Sequence, residues 1–182
     1  MNDEGELIDR TLQGDADAFG TLVRRYQDRL YTSMVHLLHN ESDAQDTVQE
    51  AFLQALTQLS TFSRKSSFYT WLYRIAFNRA LNRRKRQQRE RELVGQQVVR
   101  NDAVEDAARN LERRETVAQV RKALASLDPP FRAVLVLREI EQLDYRTIAE
   151  ILDIQVGTVR SRLHRARILL REALDRILSS ER

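Results

Sequence analysis

Sixteen residues near the C-terminus, VGTVRSRLHRARILLR from Val156 to Arg171, hold five arginines and no acid. Guanidinium groups bond bidentately to guanine O6 and N7 or clamp phosphate, and short hydroxyls suit close approach to DNA. With the apolar positions set aside, Thr158, Arg160, Ser161, Arg162, His164, Arg165 and Arg167 remain as the residues able to reach a groove. A second run, FSRKSSFYTWLYRIAFNRALNRRKR from Phe62 to Arg86, interleaves aromatic rings with bases. Phe62, Phe68, Tyr69, Trp71, Tyr73 and Phe77 alternate there with Arg64, Lys65, Arg74, Arg79 and the run Arg83 to Arg86. Such a surface suits unpaired nucleic acid, whose bases stack on rings for roughly 1–3 kcal/mol each while cations follow the backbone. The helical spacing of Trp71 and Phe77 fits plain core packing equally well. A third cluster is acidic: Asp43, Asp46 and Glu50, with Gln49, share one helical face through their three- and four-residue spacing.

Carboxylates so placed can bind metal or exchange protons. No glycine-rich phosphate loop exists to support that use. His36 and His39 are three apart but lack a third ligand. The acids therefore read as a solvated or protein-docking face. No nucleophile constellation is present, so the chain is not expected to be an enzyme, and no metal, cofactor or small-molecule ligand is implied.

The elements that position these clusters follow from periodicity. GDADAFGTLVRRYQDRLYTSMVHLLHN carries Phe19, Leu22, Val23, Tyr26, Leu30, Met34, Leu37 and Leu38 at helical spacing, with Asp15 or Asp17 as cap. In NESDAQDTVQEAFLQALTQL, Ser42 and Gln45 fit a capping box, and Val48, Phe52, Ala55, Leu56 and Leu59 form the buried stripe. STFSRKSSF reads as a loop, followed by a helix with Trp71, Leu72, Ile75, Ala76 and Leu81 inward. Residues 90–112 lose the apolar face and contain Gly95, as a linker would. Beyond it, RRETVAQVRKALASL buries Val117, Val120 and Leu124, LDPPF breaks the chain with Asp128 as cap and Pro129 at the first helical position, and FRAVLVLREIEQL is a buried helix. YRTIAEILDIQVGTVRSRLHRAR is two helices joined by a tight turn. Ile148, Ala149 and Leu152 face Val159 and Leu163, and Ile154 and Asp153 lie in the turn. The expected fold is all-α, three or four helices and then four, in two small domains joined by a flexible linker.

Composition bounds the alternatives. The chain has 182 residues, 42% hydrophobic and 31% charged, with 5 Gly and 2 Pro. It has no cysteine, which excludes disulfides, thiol nucleophiles and Cys-based zinc sites. The start MNDEGELIDR lacks a signal-like apolar run, and no stretch approaches the roughly 18 apolar residues of a membrane span, which predicts a soluble intracellular protein. Net charge is +3 but uneven: residues 1–50 hold 11 acids and 4 bases, residues 51–100 hold 11 bases and 2 acids. That asymmetry points to two partners, one meeting an acidic surface and one a polyanion.

The three clusters in this order resemble a bacterial RNA polymerase sigma factor of the extracytoplasmic-function (ECF) group of the sigma-70 family. DAQDTVQEAFLQAL is similar to the polymerase-docking helix of region 2, the aromatic-basic run to its −10 recognition and melting segment, and LDYRTIAEILDIQVGTVRSRLHRAR to region 4, which reads the −35 element. The resemblance implies region 2 over residues 1–88, a linker over 89–112 that runs through the polymerase, and region 4 over 113–182. It implies that Asp43, Asp46, Gln49 and Glu50 dock on the β′ clamp, and that region 4 meets the β flap. It implies that Phe62, Ser63, Arg64, Lys65 and Phe68 form a loop receiving a flipped −10 base. Trp71, Asn78, Arg79, Asn82 and Arg83 would lie in the segment that holds that strand or the adjoining duplex, and Arg160, Ser161 and Arg165 would make the main −35 contacts. An anti-sigma factor is an expected partner, and the bacterial cytoplasm the expected location. Asp153 stands where many members have Gly, and Gln155 where Ser is frequent. Two other readings stay open: a stand-alone helix-turn-helix regulator, and a metal-dependent nuclease or recombinase subunit using Asp43 and Asp46.

Overall fold

A computed structural model of the chain describes residues 3–94 and 111–180. They fall into two compact units, one within Met1–Arg100 and one within Asn101–Arg182. Among the described residues the ordered elements are helical.

The first unit opens with a helix absent from the sequence reading, α1 (Asp3–Leu12), whose Leu7 and Ile8 are buried. Asp15 then caps α2 (Ala16–Leu38), its carboxylate accepting from the backbone N–H groups of Asp17 (3.0 Å) and Ala18 (3.1 Å). α2 ends at His39 in the left-handed region, φ 56°. This leaves Asn40 extended, and Asn40 caps α3 (Glu41–Thr57) by accepting from the N–H of Asp43 at 2.8 Å. The expected capping box at Ser42 and Gln45 is thus corrected: the helix begins before Ser42, and both side chains are exposed.

A single 3₁₀ turn, Leu59–Thr61, follows α3, and residues 62–67 form a loop. α4 (Phe68–Val94) begins there and continues past residue 88, so the expected linker starts as helix. The side chains of Arg84 and Lys85, and linker residues 95–110, lie outside the described residues.

α3 packs on both α2 and α4. Buried alanines on α3 (44, 51 and 55) and α4 (76 and 80) keep those faces slim, while Leu22, Leu30, Met34, Phe52 and Leu72 fill the core. Leu56 was expected inside but is 44% exposed, whereas Leu59 is 2% exposed. The helix ends at Thr57, and the 3₁₀ turn swings Leu59 back under the bundle.

The second unit comprises α5 (Leu111–Ser126), α6 (Pro129–Leu135), α7 (Tyr145–Leu152) and α8 (Val156–Ser180). α6 runs into one π-type turn, Val136–Ile140, so the expected single helix changes its winding before it ends. Asp128 precedes α6, but its side chain makes no cap hydrogen bond, contrary to expectation; Pro129 needs no donor satisfied. Val117 is 44% exposed rather than buried. The core gathers Leu124, Val134, Leu137, Ile148, Val159 and Leu163. Arg132, 2% exposed, lies within it and donates to the carbonyls of Leu124, Ala125 and Leu127 at 2.7–2.8 Å, satisfying the orphan end of α5. No described helix is long and apolar enough to cross a membrane.

Candidate nucleic-acid interfaces

The acidic face of α3 and the basic face of α4 meet. Arg83 Nε donates to Asp43 Oδ1 at 2.8 Å, and its Nη2 to Asp46 Oδ2 at 2.7 Å. Arg79 Nη1 donates to Glu50 Oε2 at 2.7 Å, and its Nε to Gln54 Oε1 at 2.7 Å. Burial works against the Arg83 cation, but the hydrogen bonds and charges of Asp46 and Asp43 outweigh it and raise its pKa. Asp43 is only 19% exposed, which corrects the solvated half of its reading as part of a solvated or protein-docking face. Gln49 remains exposed beside the network. An open cleft of about 580 Å³ runs along this seam, lined by Trp71, Arg74, Asn78, Arg79, Asn82 and Arg83 from α4 and by Thr47, Glu50 and Gln54 from α3. Five residues expected to hold a DNA strand thus share one wall, and two of them are already engaged by residues expected to dock a protein.

At the head of α4 the rings form one cluster. Phe62 lies 5.1 Å from Trp71 with planes 35° apart, and both are partly exposed. Phe68 sits behind them, 6.0 Å from Phe62 and 5.8 Å from Trp71, and is fully buried. The expectation that Phe68 touches a base is therefore corrected: it backs the rings that can. Tyr69, Tyr73 and Phe77 are buried too. Ser63, Arg64 and Lys65 are exposed in the loop. Arg64 adopts φ 58° and pairs with Asp9 of α1, and that hydrogen bond is the main reason the Asp9 carboxyl is held below its ordinary range. Sequence reasoning missed α1 here; its acids had signalled only charge.

In the second unit, Asp144 caps α7, accepting from the N–H groups of Thr147 (3.0 Å) and Arg146 (2.8 Å) and from the Thr147 hydroxyl (2.9 Å), and the Thr147 bonds above all hold its carboxyl below the usual range. The turn to α8 passes through Asp153 at φ 52°, ψ 52°, and the N–H groups of Asp153 and Ile154 both donate to the Ala149 carbonyl. This is the left-handed position that glycine fills most easily. Ile148 and Ala149 are buried against Val159, Leu163 and Ala166. The opposite face of α8 presents Arg160, Ser161, His164 and Arg165 exposed, with Thr158 and Arg162 half-buried at its edges. Ser161 rests its hydroxyl on the Thr158 carbonyl, 3.1 Å. Arg167 is held by Glu139 at 2.7 Å. Arg160, Arg162 and Arg165 have no ion-pair partner among the described residues.

Among the described residues, no group of three or more His, Cys, Asp and Glu could hold a metal ion.

The Sigma-70 region 2 family model matches residues 22–90, and the Sigma-70 region 4 model matches residues 118–170. The chain is 38% identical over 184 residues to the RNA polymerase sigma-H factor of Pseudomonas aeruginosa, covering 95% of this chain and 94% of the relative. It is 39% identical over 178 residues to the ECF sigma-E factor of Escherichia coli, covering 93% and 91%. The chain belongs to the ECF group of sigma-70 factors. This sigma factor directs transcription initiation and is not a stand-alone helix-turn-helix regulator. Sigma factors bind core RNA polymerase and promoter DNA and are initiation factors rather than catalysts. Two solved structures share the sigma factor's fold. CnrH, in complex with the cytosolic domain of CnrY, is 27% identical with a TM-score of 0.71, covering 96% of this chain and 98% of that one. RpoE of Bartonella quintana, with the anti-sigma factor NepR, is 24% identical with a TM-score of 0.76, covering 86% and 96%.

Proposed function

We propose that the two units of this sigma factor divide the promoter between them. Residues 1–88 act as region 2: Asp43, Asp46, Gln49 and Glu50 dock on the β′ clamp. The loop from Phe62 to Lys65 captures a −10 base, and Trp71, Asn78, Arg79, Asn82 and Arg83 hold the opened strand. Residues 113–182 act as region 4, meeting the β flap and reading the −35 element with Arg160, Ser161 and Arg165. Thr158, Arg162 and His164 flank these contacts. Residues 89–112 join the two. The protein works in the bacterial cytoplasm with no chemistry of its own. Promoter opening is driven by differential binding, because flipped bases meet the protein only in the melted state. One stacked base on the Phe62 and Trp71 rings supplies roughly 1–3 kcal/mol toward that state.

The observation that carries this reading is the contrast between the two arginine sets. Arg160 and Arg165 of α8 stand exposed with no carboxylate partner among the described residues, as a groove reader needs, whereas Arg79 and Arg83 share carboxylates with the docking face. An anti-sigma factor is a further partner; RpoE of Bartonella quintana, which shares the fold, was solved in complex with the anti-sigma factor NepR, and that supports it.

Run-off transcription with core polymerase on a randomised promoter library tests the division. Arg160→Ala should alter selection at upstream positions alone, and Phe62→Ala at downstream positions alone. Both variants altering the same block would refute it.

A further inference from the structure

We propose that α1 is the positioning element of the strand-capture loop, with Glu4 and Asp9 as its positioning residues. The proposal rests on the reading of residues 62–65 as that loop. Two carboxylates of α1 hold the segment at two points. Glu4 Oε1 accepts from the backbone N–H of Phe68, 3.2 Å away, at the first residue of α4 where no intrahelical acceptor exists. Its other oxygen accepts from the Tyr26 hydroxyl. Tyr26 lies against Phe68 and Tyr69, with ring centroids 5.9 and 5.4 Å apart, and Phe68 in turn backs Phe62 and Trp71. A single carboxylate thereby fixes both the backbone where the loop enters α4 and the rings beneath it.

Asp9 pairs with Arg64 in the middle of the loop. Arg64 occupies the left-handed region at φ 58°, which side chains other than glycine and asparagine avoid. The two acids are five residues apart on one helix, about 7.5 Å along its axis. Leu7 and Ile8 are buried between them, and Asp3 pairs with Arg25 of α2, so the helix that carries them is anchored. The Asp9–Arg64 pair is exposed, so it orients the loop more than it stabilises the fold. A pocket for a flipped base gains from such preorganisation, because ordering the loop on binding would subtract from each contact.

The test uses the full chain assembled with core polymerase. Four readouts are taken: core affinity, affinity for a −35 duplex, affinity for a fork-junction probe with a single-stranded −10 segment, and the thermal midpoint of the free protein. Glu4→Ala should weaken the fork-junction probe about tenfold while core and duplex affinities hold. Glu4→Gln, which keeps one carbonyl acceptor, should recover part of the loss and guards against misfolding. Asp9→Asn should weaken the probe about two- to threefold, and Asp9→Glu should restore it. Equal losses on all three affinities would reduce α1 to a general fold stabiliser and overturn the proposal. Tighter probe binding by Asp9→Asn would overturn it too, by showing that Asp9 shields Arg64 from DNA. Phe62→Ala serves as the reference. If it leaves fork-junction binding intact, the capture-loop reading falls and this proposal with it. If Phe62→Ala weakens the probe while Glu4→Ala does not, only the role of α1 falls.

Discussion

Replacing Arg83 with alanine should destabilise the first unit by about 2–3 kcal/mol, more than any single acid it touches. The guanidinium is 21% exposed and its partner Asp43 19%, so their 2.8 Å bond lies in a largely desolvated setting. A charge-assisted bond there contributes about 1.5–3 kcal/mol, and removing the arginine leaves a half-buried carboxylate with less solvation than it needs. Asp46 is 49% exposed, so its 2.7 Å bond adds only about 0.5 kcal/mol after solvent screening. Glu50 lies 3.9 Å from Arg83 and bonds Arg79 instead, so it is left out of the sum. The chain's one tryptophan, Trp71, stands in this unit against Phe62, and its fluorescence follows urea unfolding of this unit. With a slope near 1 kcal/mol per molar urea for a unit this small, the midpoint should fall by about 2–3 M. Asp46→Ala should move it by about 0.5 M. A double-mutant cycle between Asp43→Asn and Arg83→Ala should return a coupling of about 1 kcal/mol or more. Equal small shifts for Arg83→Ala and Asp46→Ala, with no coupling, would refute the idea that a desolvated bond holds the α3–α4 seam.

Other outcomes follow from single observations. Arg160→Ala, at a residue exposed on α8 with no ion-pair partner among the described residues, should relax −35 discrimination by about 1–3 kcal/mol, read as a flattened preference at one or two upstream positions. Asp153→Gly relieves a left-handed non-glycine turn but adds unfolded-state freedom, for a net gain of about 0.5–1 kcal/mol, seen as a higher unfolding midpoint of the second unit by hydrogen exchange. Burial, followed by the hydrogen bond to Glu4, pushes the Tyr26 phenol up to about 12. The folded state thus keeps a proton that the unfolded chain loses near pH 10, so this contribution is intact below about pH 10 and fades between about 10 and 12. Tyr26→Phe should flatten that alkaline decline in urea midpoints; an unchanged slope would disprove the assignment.

How much of this was legible beforehand depends on whether the signal is local. The exposed basic face of α8 was legible because three- and four-residue spacing alone separates Val159, Leu163 and Ala166 from Arg160 and Arg165. Asn40 and Ser42 are both good cap residues, and the choice fell to His39, whose left-handed backbone ends α2 and starts α3 earlier. Leu56 and Leu59 look alike in any count of apolar residues, and only the 3₁₀ turn after Thr57 decides which is buried. Phe68 differs from Phe62 because Tyr26 and α1 cover it, and both come from more than 40 residues away. The same limit hid the seam between α3 and α4. Spacing placed Asp43, Asp46 and Glu50 on one helix and Arg79 and Arg83 on another, but packing determines that those faces meet.

That seam ties the two proposed tasks of region 2 together. A cation that draws Asp46 or Glu50 toward itself weakens their hold on Arg83 and Arg79, and a phosphate that draws the arginines frees the acids. Linkage makes the effect reciprocal: whatever docking does for strand affinity, the strand does for docking. Asp43 limits the exchange. It is the most buried acid of the set, so it keeps Arg83 oriented toward the cleft while Asp46, half exposed, is the partner that can be traded. Arg160 and Arg165 carry no such coupling, since no carboxylate among the described residues competes for them. On this reading, neutralising Asp46 should change −10 strand binding and leave −35 duplex binding alone. The upstream contact is available in the free protein, whereas the downstream contact is conditional on what the acidic face has met.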